Sequence, residues 1–225
     1  MITPAGYVCN KEKIEKLCTL LDNLDFPLCL NEPSGNFFYD PWIIKEEFKN
    51  TIFNEVLSTL ETTTGQARIL KLEAGRCYNV HADIDDRYHL NLSGEVSYLV
   101  DVDNEQMFRM YTDGIWYQMN AGKRHSAINF GRGYRYQLVV RHVLHNPVLN
   151  DPVNVKIISH EPTTDDTRYV FDNYISSWLN ESCKQQKIMN FEPNVNEVKF
   201  STERNHIDSL KKILPETLEM ILYDQ

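Results

Sequence analysis

Between about Gln66 and Leu144 apolar side chains recur at every second position, in short bursts separated by turns. Ile69, Leu70 and Leu72 precede Gly75, and Tyr78 and Val80 follow it; Tyr88, Leu90 and Leu92 alternate with His89 and Asn91; Val96, Tyr98 and Val100 alternate again. A period of two sends successive side chains to opposite faces, which defines half-buried strands and excludes helices here. Asp101 to Glu105, Thr112-Asp113-Gly114 and Phe130-Gly131-Arg132-Gly133 read as turns, and Tyr134 to Leu144 is the longest strand candidate. About eight short strands punctuated this way predict a sandwich or barrel. A jelly roll fits best, because it gathers side chains from separate strands at one open end.

The flanks have a different pattern. Asn10 to Leu21 carries Ile14, Leu17, Leu20 and Leu21 at helical spacing, and Asn31 to Tyr39 reads as loop around Pro33-Ser34-Gly35. Asp40-Pro41 is a helix-start signal, and Ile44, Phe48, Ile52, Val56 and Leu60 then recur every fourth residue. Toward the C-terminus, Thr163 to Thr167 offers caps for a stripe of Val170, Phe171, Tyr174, Ile175 and Trp178. Leu210, Ile213, Leu214, Leu218 and Ile221 suggest a last helix kinked at Pro215. The expectation is one domain, mainly β with flanking helices. Residues 1–64 form helical support, 65–158 the β core and 159–225 C-terminal helices.

The chain has 225 residues, 42% of them apolar and 24% charged, which is a globular composition. Its formal net charge of -9 disfavours binding to nucleic acid. No apolar run approaches the ~18 residues of a membrane span, and Met1 to Gly6 lacks a secretory pattern. The five cysteines are scattered without a CxxC, so they read as reduced thiols in a cytoplasmic compartment.

Chemistry concentrates in His81-Ala82-Asp83, with His125 and Arg135 further along. Side chains at i and i+2 of an extended segment share a face, so His81 and Asp83 point inward together, and His125 joins them from a later strand. Two imidazoles and one carboxylate occupy one face of an octahedral iron(II) ion and leave the other face open. By itself the HxD pair also suits a surface strand end. Arg135 alternates with Gln137 and Val139. If it faces inward, it needs a carboxylate partner, which a dicarboxylic co-substrate supplies in a bidentate fork; the other orientation puts it in solvent and Tyr136 in the core. Arg87 and His89 share a face of the next strand and are candidates for the co-substrate's other end. His142 and His145 are rival imidazoles, and Asp85 and Asp86 rival carboxylates. Trp116, Tyr98 and Tyr136 suit either a pocket or plain core.

The ordered set of Ala67-Arg68-Ile69-Leu70-Lys71-Leu72-Glu73-Ala74-Gly75, His81-Ala82-Asp83, Arg87-Tyr88-His89-Leu90-Asn91-Leu92, His125, Arg135 and Val139-Val140-Arg141-His142 resembles the aspartyl/asparaginyl β-hydroxylase family, which includes bacterial cis-proline hydroxylases. The resemblance covers about Gln66 to Leu144. It implies a double-stranded β-helix and iron(II)- and 2-oxoglutarate-dependent hydroxylation, with O2 consumed and succinate and CO2 released. His81, Asp83 and His125 match the metal ligands, Arg135 the arginine that pairs with the distal carboxylate of 2-oxoglutarate, and Arg87 and His89 the pair near its other carboxylate. The family's animal peptide hydroxylases lack the acidic ligand, so Asp83 places this chain nearer the small bacterial members. The implied substrate is an amino acid or a peptidyl Asp, Asn or Pro side chain. Two other classes remain open: a cupin-like metal enzyme that does not use 2-oxoglutarate, and a non-catalytic β-barrel binding module.

Overall fold

The computed structural model describes residues 2–94, 96–160, 175–194 and 196–223. The chain is mainly β, and its strands pair antiparallel throughout. The larger sheet runs, in spatial order, β1 (Ile2–Val8), β9 (Ile115–Met119), β6 (Arg87–Asn91), β11 (Arg135–His142), β5 (Thr64–Leu72) and β2 (Leu28–Cys29). A smaller sheet orders β10 (His125–Asn129), β7 (Ser97–Asp101) and β8 (Gln106–Met110). Cys77 and His81 form single bridges to Ile128 and His125, so the segment between them extends the smaller sheet beyond β10. Leu99, Met110 and Ala127 of the smaller sheet pack against Tyr117 and Met119 of the larger one.

The alternation assigns the two faces of the larger sheet. Leu138 pairs with Ile69 on one side and Leu90 on the other, and Val140 with Ala67 and Tyr88. This outer set meets Ile14, Leu17, Leu21, Ile52, Phe53 and Val56 in a continuous core. Burying each such aliphatic side chain stabilises the fold by ~1.5–3 kcal/mol relative to exposure. The inner face is polar. Arg68, Val139, His89 and Tyr117 stand in register across β5, β11, β6 and β9, and Leu70, Gln137 and Asn91 form the neighbouring row.

The N-terminal support is only partly helical. Helix α1 (Lys11–Cys18) forms as expected, with Asn10 Oδ1 accepting the Glu12 amide at 2.7 Å. Ahead of it, however, Ile2–Val8 is an edge strand on β9. Pro4 and Gly6 had hidden it, and an edge strand tolerates both. No helix starts at Asp40. Its Oδ2 accepts the Asn36 amide and closes a local turn, while β4 (Trp42–Ile44) pairs with β3 (Asn31–Pro33), in a region expected to be loop. The helix α2 begins only at Ile52 and ends at Leu57. The four-residue spacing of Ile44 and Phe48 therefore belongs to separate elements that reach the same core.

The C-terminal stretch departs most from expectation. A second sheet orders β13 (Ile188–Pro193), β14 (Glu197–Glu203), β12 (Pro152–Ser159) and β15 (Leu218–Tyr223), accompanied by helices α3 (Ser176–Lys184) and α4 (Ile207–Lys211). Val198 and Phe200 alternate with Lys199 and Ser201, a period of two between charged neighbours. Pro215 ends the helical part of the expected last helix, and Leu218 and Ile221 belong to β15, which pairs with β12. Val170, Phe171 and Tyr174, with Thr163 to Thr167, lie outside the described residues; Ile175 and Trp178 sit at the start of α3. Phe38 and Ile84 share the core of this second sheet, and the Phe38 and Phe191 rings meet edge to face at 4.9 Å, so the sheet abuts the mouth of the inner face. Among the described residues no helix is long and apolar enough to cross a membrane.

Candidate metal centre

Backbone pairing brings the three donor residues together. The His81 amide donates to His125 O at 3.0 Å and the His125 amide to His81 O at 2.8 Å, a reciprocal pair that places both side chains on one face. The imidazole centroids lie 4.4 Å apart. Two residues on, the Asp83 amide donates to Ala121 O at 2.7 Å, which returns the Asp83 side chain to the same face. Asp83 Oδ2 is 3.9 Å from His81 Nε2 and 3.7 Å from His125 Nε2, and one donor atom from each residue lies within 4.8 Å of the others.

Each histidine is oriented by a backbone carbonyl two residues earlier. His81 Nδ1 is 2.8 Å from Asn79 O, and His125 Nδ1 is 2.7 Å from Lys123 O. A carbonyl only accepts, so each Nδ1 carries the hydrogen and each Nε2 turns its lone pair to the centre. Burial lowers the pKa of His125 despite the Asp83 charge beside it, keeping it the neutral donor a metal needs. Burial opposes ionisation of Asp83, but the neighbouring charges, the Arg87 guanidinium first, outweigh it and hold the carboxyl at about 2.

Arg87 is already engaged. Its Nη2 donates to Asp83 Oδ1 at 2.9 Å, which leaves Oδ2 for the centre, and its Nη1 meets both the side chain and the carbonyl of Asp85. Asp85 also takes a two-pronged contact from Arg141, with Nε and Nη2 at 2.6 and 2.9 Å. Asp85 is thus not a rival ligand but the counter-charge between two buried guanidiniums. Asp86 faces away and accepts from the Ala121 amide, Asn180 Nδ2 and Lys184 Nζ, tying the loop to α3. His142 stacks on Tyr88 at 4.0 Å, and neither His142 nor His145 belongs to the donor group.

Arg135 does face inward. It is 1% exposed, its Nη2 donates to Gln137 Oε1 at 2.5 Å, and its Nε has no acceptor. Among the described residues it has no acidic partner, and burial draws its pKa down to about 10. Tyr136 lies on the opposite face, where its hydroxyl donates to Asp22 at 3.1 Å, and Trp116 is core. His89 is buried with neither ring nitrogen well bonded; burial, then Arg135 and His125, lower its pKa to about 3, so the ring stays neutral.

Two connected cavities meet at His81, Asp83, Arg87 and Arg68. The inner one, about 60 Å3, runs between the sheets past His125, His89 and Gln137. The outer one, about 490 Å3, opens between the larger sheet and the second sheet. Sequence reasoning did not single out Arg68, which borders both. The signal was present: with Ala67 and Ile69 committed to the core, Arg68 between them faces inward.

The chain matches no protein-family model, and no curated protein matches it. The site's geometry and chemistry therefore carry the functional reading.

Proposed function

We propose that this chain is an iron(II)- and 2-oxoglutarate-dependent dioxygenase that hydroxylates an amino acid or a peptidyl side chain. The strand order supports a double-stranded β-helix: β5, β11, β6 and β9 face the 77–81 segment, β10, β7 and β8, and successive strands alternate between the sheets except at the β7–β8 hairpin, which stays in the smaller one. The donor set fits the metal. His81 Nε2, His125 Nε2 and Asp83 Oδ2 are two neutral nitrogens and one anionic oxygen, the set suited to iron(II) with open positions. The observation that separates this reading from other metal enzymes is Arg135, a buried guanidinium without a carboxylate, on the same inner face. An uncompensated buried cation is costly unless a ligand supplies its partner.

When bound, iron(II) and 2-oxoglutarate supply the oxidative chemistry: O2 is consumed, the co-substrate becomes succinate and CO2, and a hydroxyl group is left on the substrate. The protein's part is orientation. The carbonyls of Asn79 and Lys123 fix both imidazoles, and Arg87 steers Asp83 so that one oxygen faces the centre. Arg135 receives the distal carboxylate. Gln137, which lines the small inner cavity and holds the Arg135 guanidinium, would have to release it for a carboxylate to bind there. Neutral His89 and the apolar Leu70, Leu99 and Val139 keep water scarce around the co-substrate.

The test is Arg135→Gln. Its 2-oxoglutarate Kd is expected to rise at least ~100-fold, in the range of losing a buried charge pair, with iron(II) affinity unchanged. Unchanged 2-oxoglutarate affinity contradicts the proposal and favours a metal enzyme that does not use it.

A further inference from the structure

The outer cavity is lined by three guanidiniums and two carboxylates: Arg68, Arg87, Arg141, Asp83 and Asp85. Arg87 holds both acids and Arg141 holds Asp85, so the one carboxylate oxygen left over is Asp83 Oδ2, which is turned to the donor centre. Arg68 is the remainder. Among the described residues its side chain makes no ion pair or hydrogen bond, although it is half-buried and stands in register with Val139 and His89 on the inner face. Burial, then the neighbouring Arg87, lower its pKa, so its charge is left without full compensation. The rest of the lining includes an apolar set: Phe37 and Phe38 from the N-terminal loop, whose rings carry the Arg141 guanidinium at 4.4 and 4.5 Å, and Phe191 and Val198 from the second sheet.

We propose that Arg68 anchors a carboxylate of the substrate, and that the substrate is an N-acylated amino acid with an apolar side chain, whose body rests on Phe37, Phe38, Phe191 and Val198. The reaction assigned to this ligand rests on the dioxygenase reading; its recognition does not. The free guanidinium calls for an anion, and the aromatic wall calls for an apolar body. The missing α-ammonium follows from the acids: Asp85 is held by two guanidiniums, and Asp83 by Arg87 on one oxygen and by the metal on the other, so a free amino group would enter among three guanidiniums with no open anion to receive it. Acylation removes that positive charge and leaves the carboxylate.

The full chain, loaded with iron(II) in the absence of oxygen, is titrated calorimetrically with N-acetyl-L-phenylalanine, N-acetyl-L-phenylalaninamide and free L-phenylalanine. These bodies are too large for the inner cavity, so Arg135 does not compete for them. The proposal predicts that the acylated acid binds at least ~10-fold tighter than either of the others. Arg68→Gln brings it to the level of the amide, and Arg68→Lys restores part of the difference. Gln66→Glu keeps Arg68 and places a carboxylate two residues away on the same face, so it weakens the acid by competition even if Arg68→Gln fails to fold. Equal binding of acid and amide, tighter binding of free phenylalanine, or no binding of any of the three overturns the proposal. Loss of 2-oxoglutarate affinity in Arg68→Gln with acid binding intact also overturns it, because Arg68 then serves the co-substrate. The dioxygenase reading fails separately, through lack of an iron(II)–2-oxoglutarate complex in the wild-type chain.

Discussion

At the residue scale the site depends on partners more than on the donors themselves. His81 and His125 use the same device, an Nδ1 hydrogen given to the carbonyl two residues back, so the local backbone turns each Nε2 toward the shared centre. Alternation put His81 and Asp83 on one face and Arg135 on the face of Gln137 and Val139, but left open whether that face turns inward; the structure buries Arg135. The partners were not legible in the sequence. The sharing of Arg87 between Asp83 and Asp85, and of Asp85 between two arginines, depends on loop conformation that no periodicity encodes. Gln137 tests the residue-scale account. Gln137→Glu gives Arg135 an internal carboxylate; the 2-oxoglutarate Kd is expected to rise at least ~10-fold while the melting temperature holds or rises. Unchanged affinity would show that Gln137 does not guard Arg135.

At the element scale, the loop from Asp83 to Asp86 connects the donor strand to β6 and is held by buried charge. Burial opposes the Asp85 carboxylate, but Arg141 and then Arg87 outweigh it and keep its pKa below the ordinary 3.8. A lowered folded pKa means that this stabilisation is complete above about pH 4 and fades as pH falls through the lower folded value. Asp85→Asn strands Arg141 and leaves Arg87 with Asp83 alone, and the expected loss in urea unfolding at pH 7 is ~3–5 kcal/mol, shrinking in more acid solution. A loss under ~1 kcal/mol would assign the pairs to a surface-like role. The outer face gives a contrasting case. Leu138, fully buried between Ile69 and Leu90, is expected to cost ~2–5 kcal/mol as Leu138→Ala, independent of pH. Its role was readable from alternation. Strands β13 to β15 were missed because prolines and alternating charges break up their apolar pattern, and because β12, the partner of β14 and β15, ends at Ser159, far back along the chain.

At the scale of the whole molecule, the larger sheet has one face built for stability and one for chemistry. Helices cover the first, and the smaller sheet, with the second sheet at the mouth, encloses the other. A ligand that binds only the folded chain stabilises all of it. Iron(II) at a hundredfold excess over its Kd is therefore expected to add ~2.7 kcal/mol in anaerobic thermal unfolding, with no gain in His81→Ala. The most direct test of the central claim is an anaerobic titration of the intact chain with iron(II) and 2-oxoglutarate, followed by visible absorption. The account predicts a charge-transfer band of the iron(II)–2-oxoglutarate chelate that saturates at one equivalent of each, and that is lost in His81→Ala. A wild-type chain that develops no such band, or a His81→Ala chain that develops it undiminished, would contradict the account.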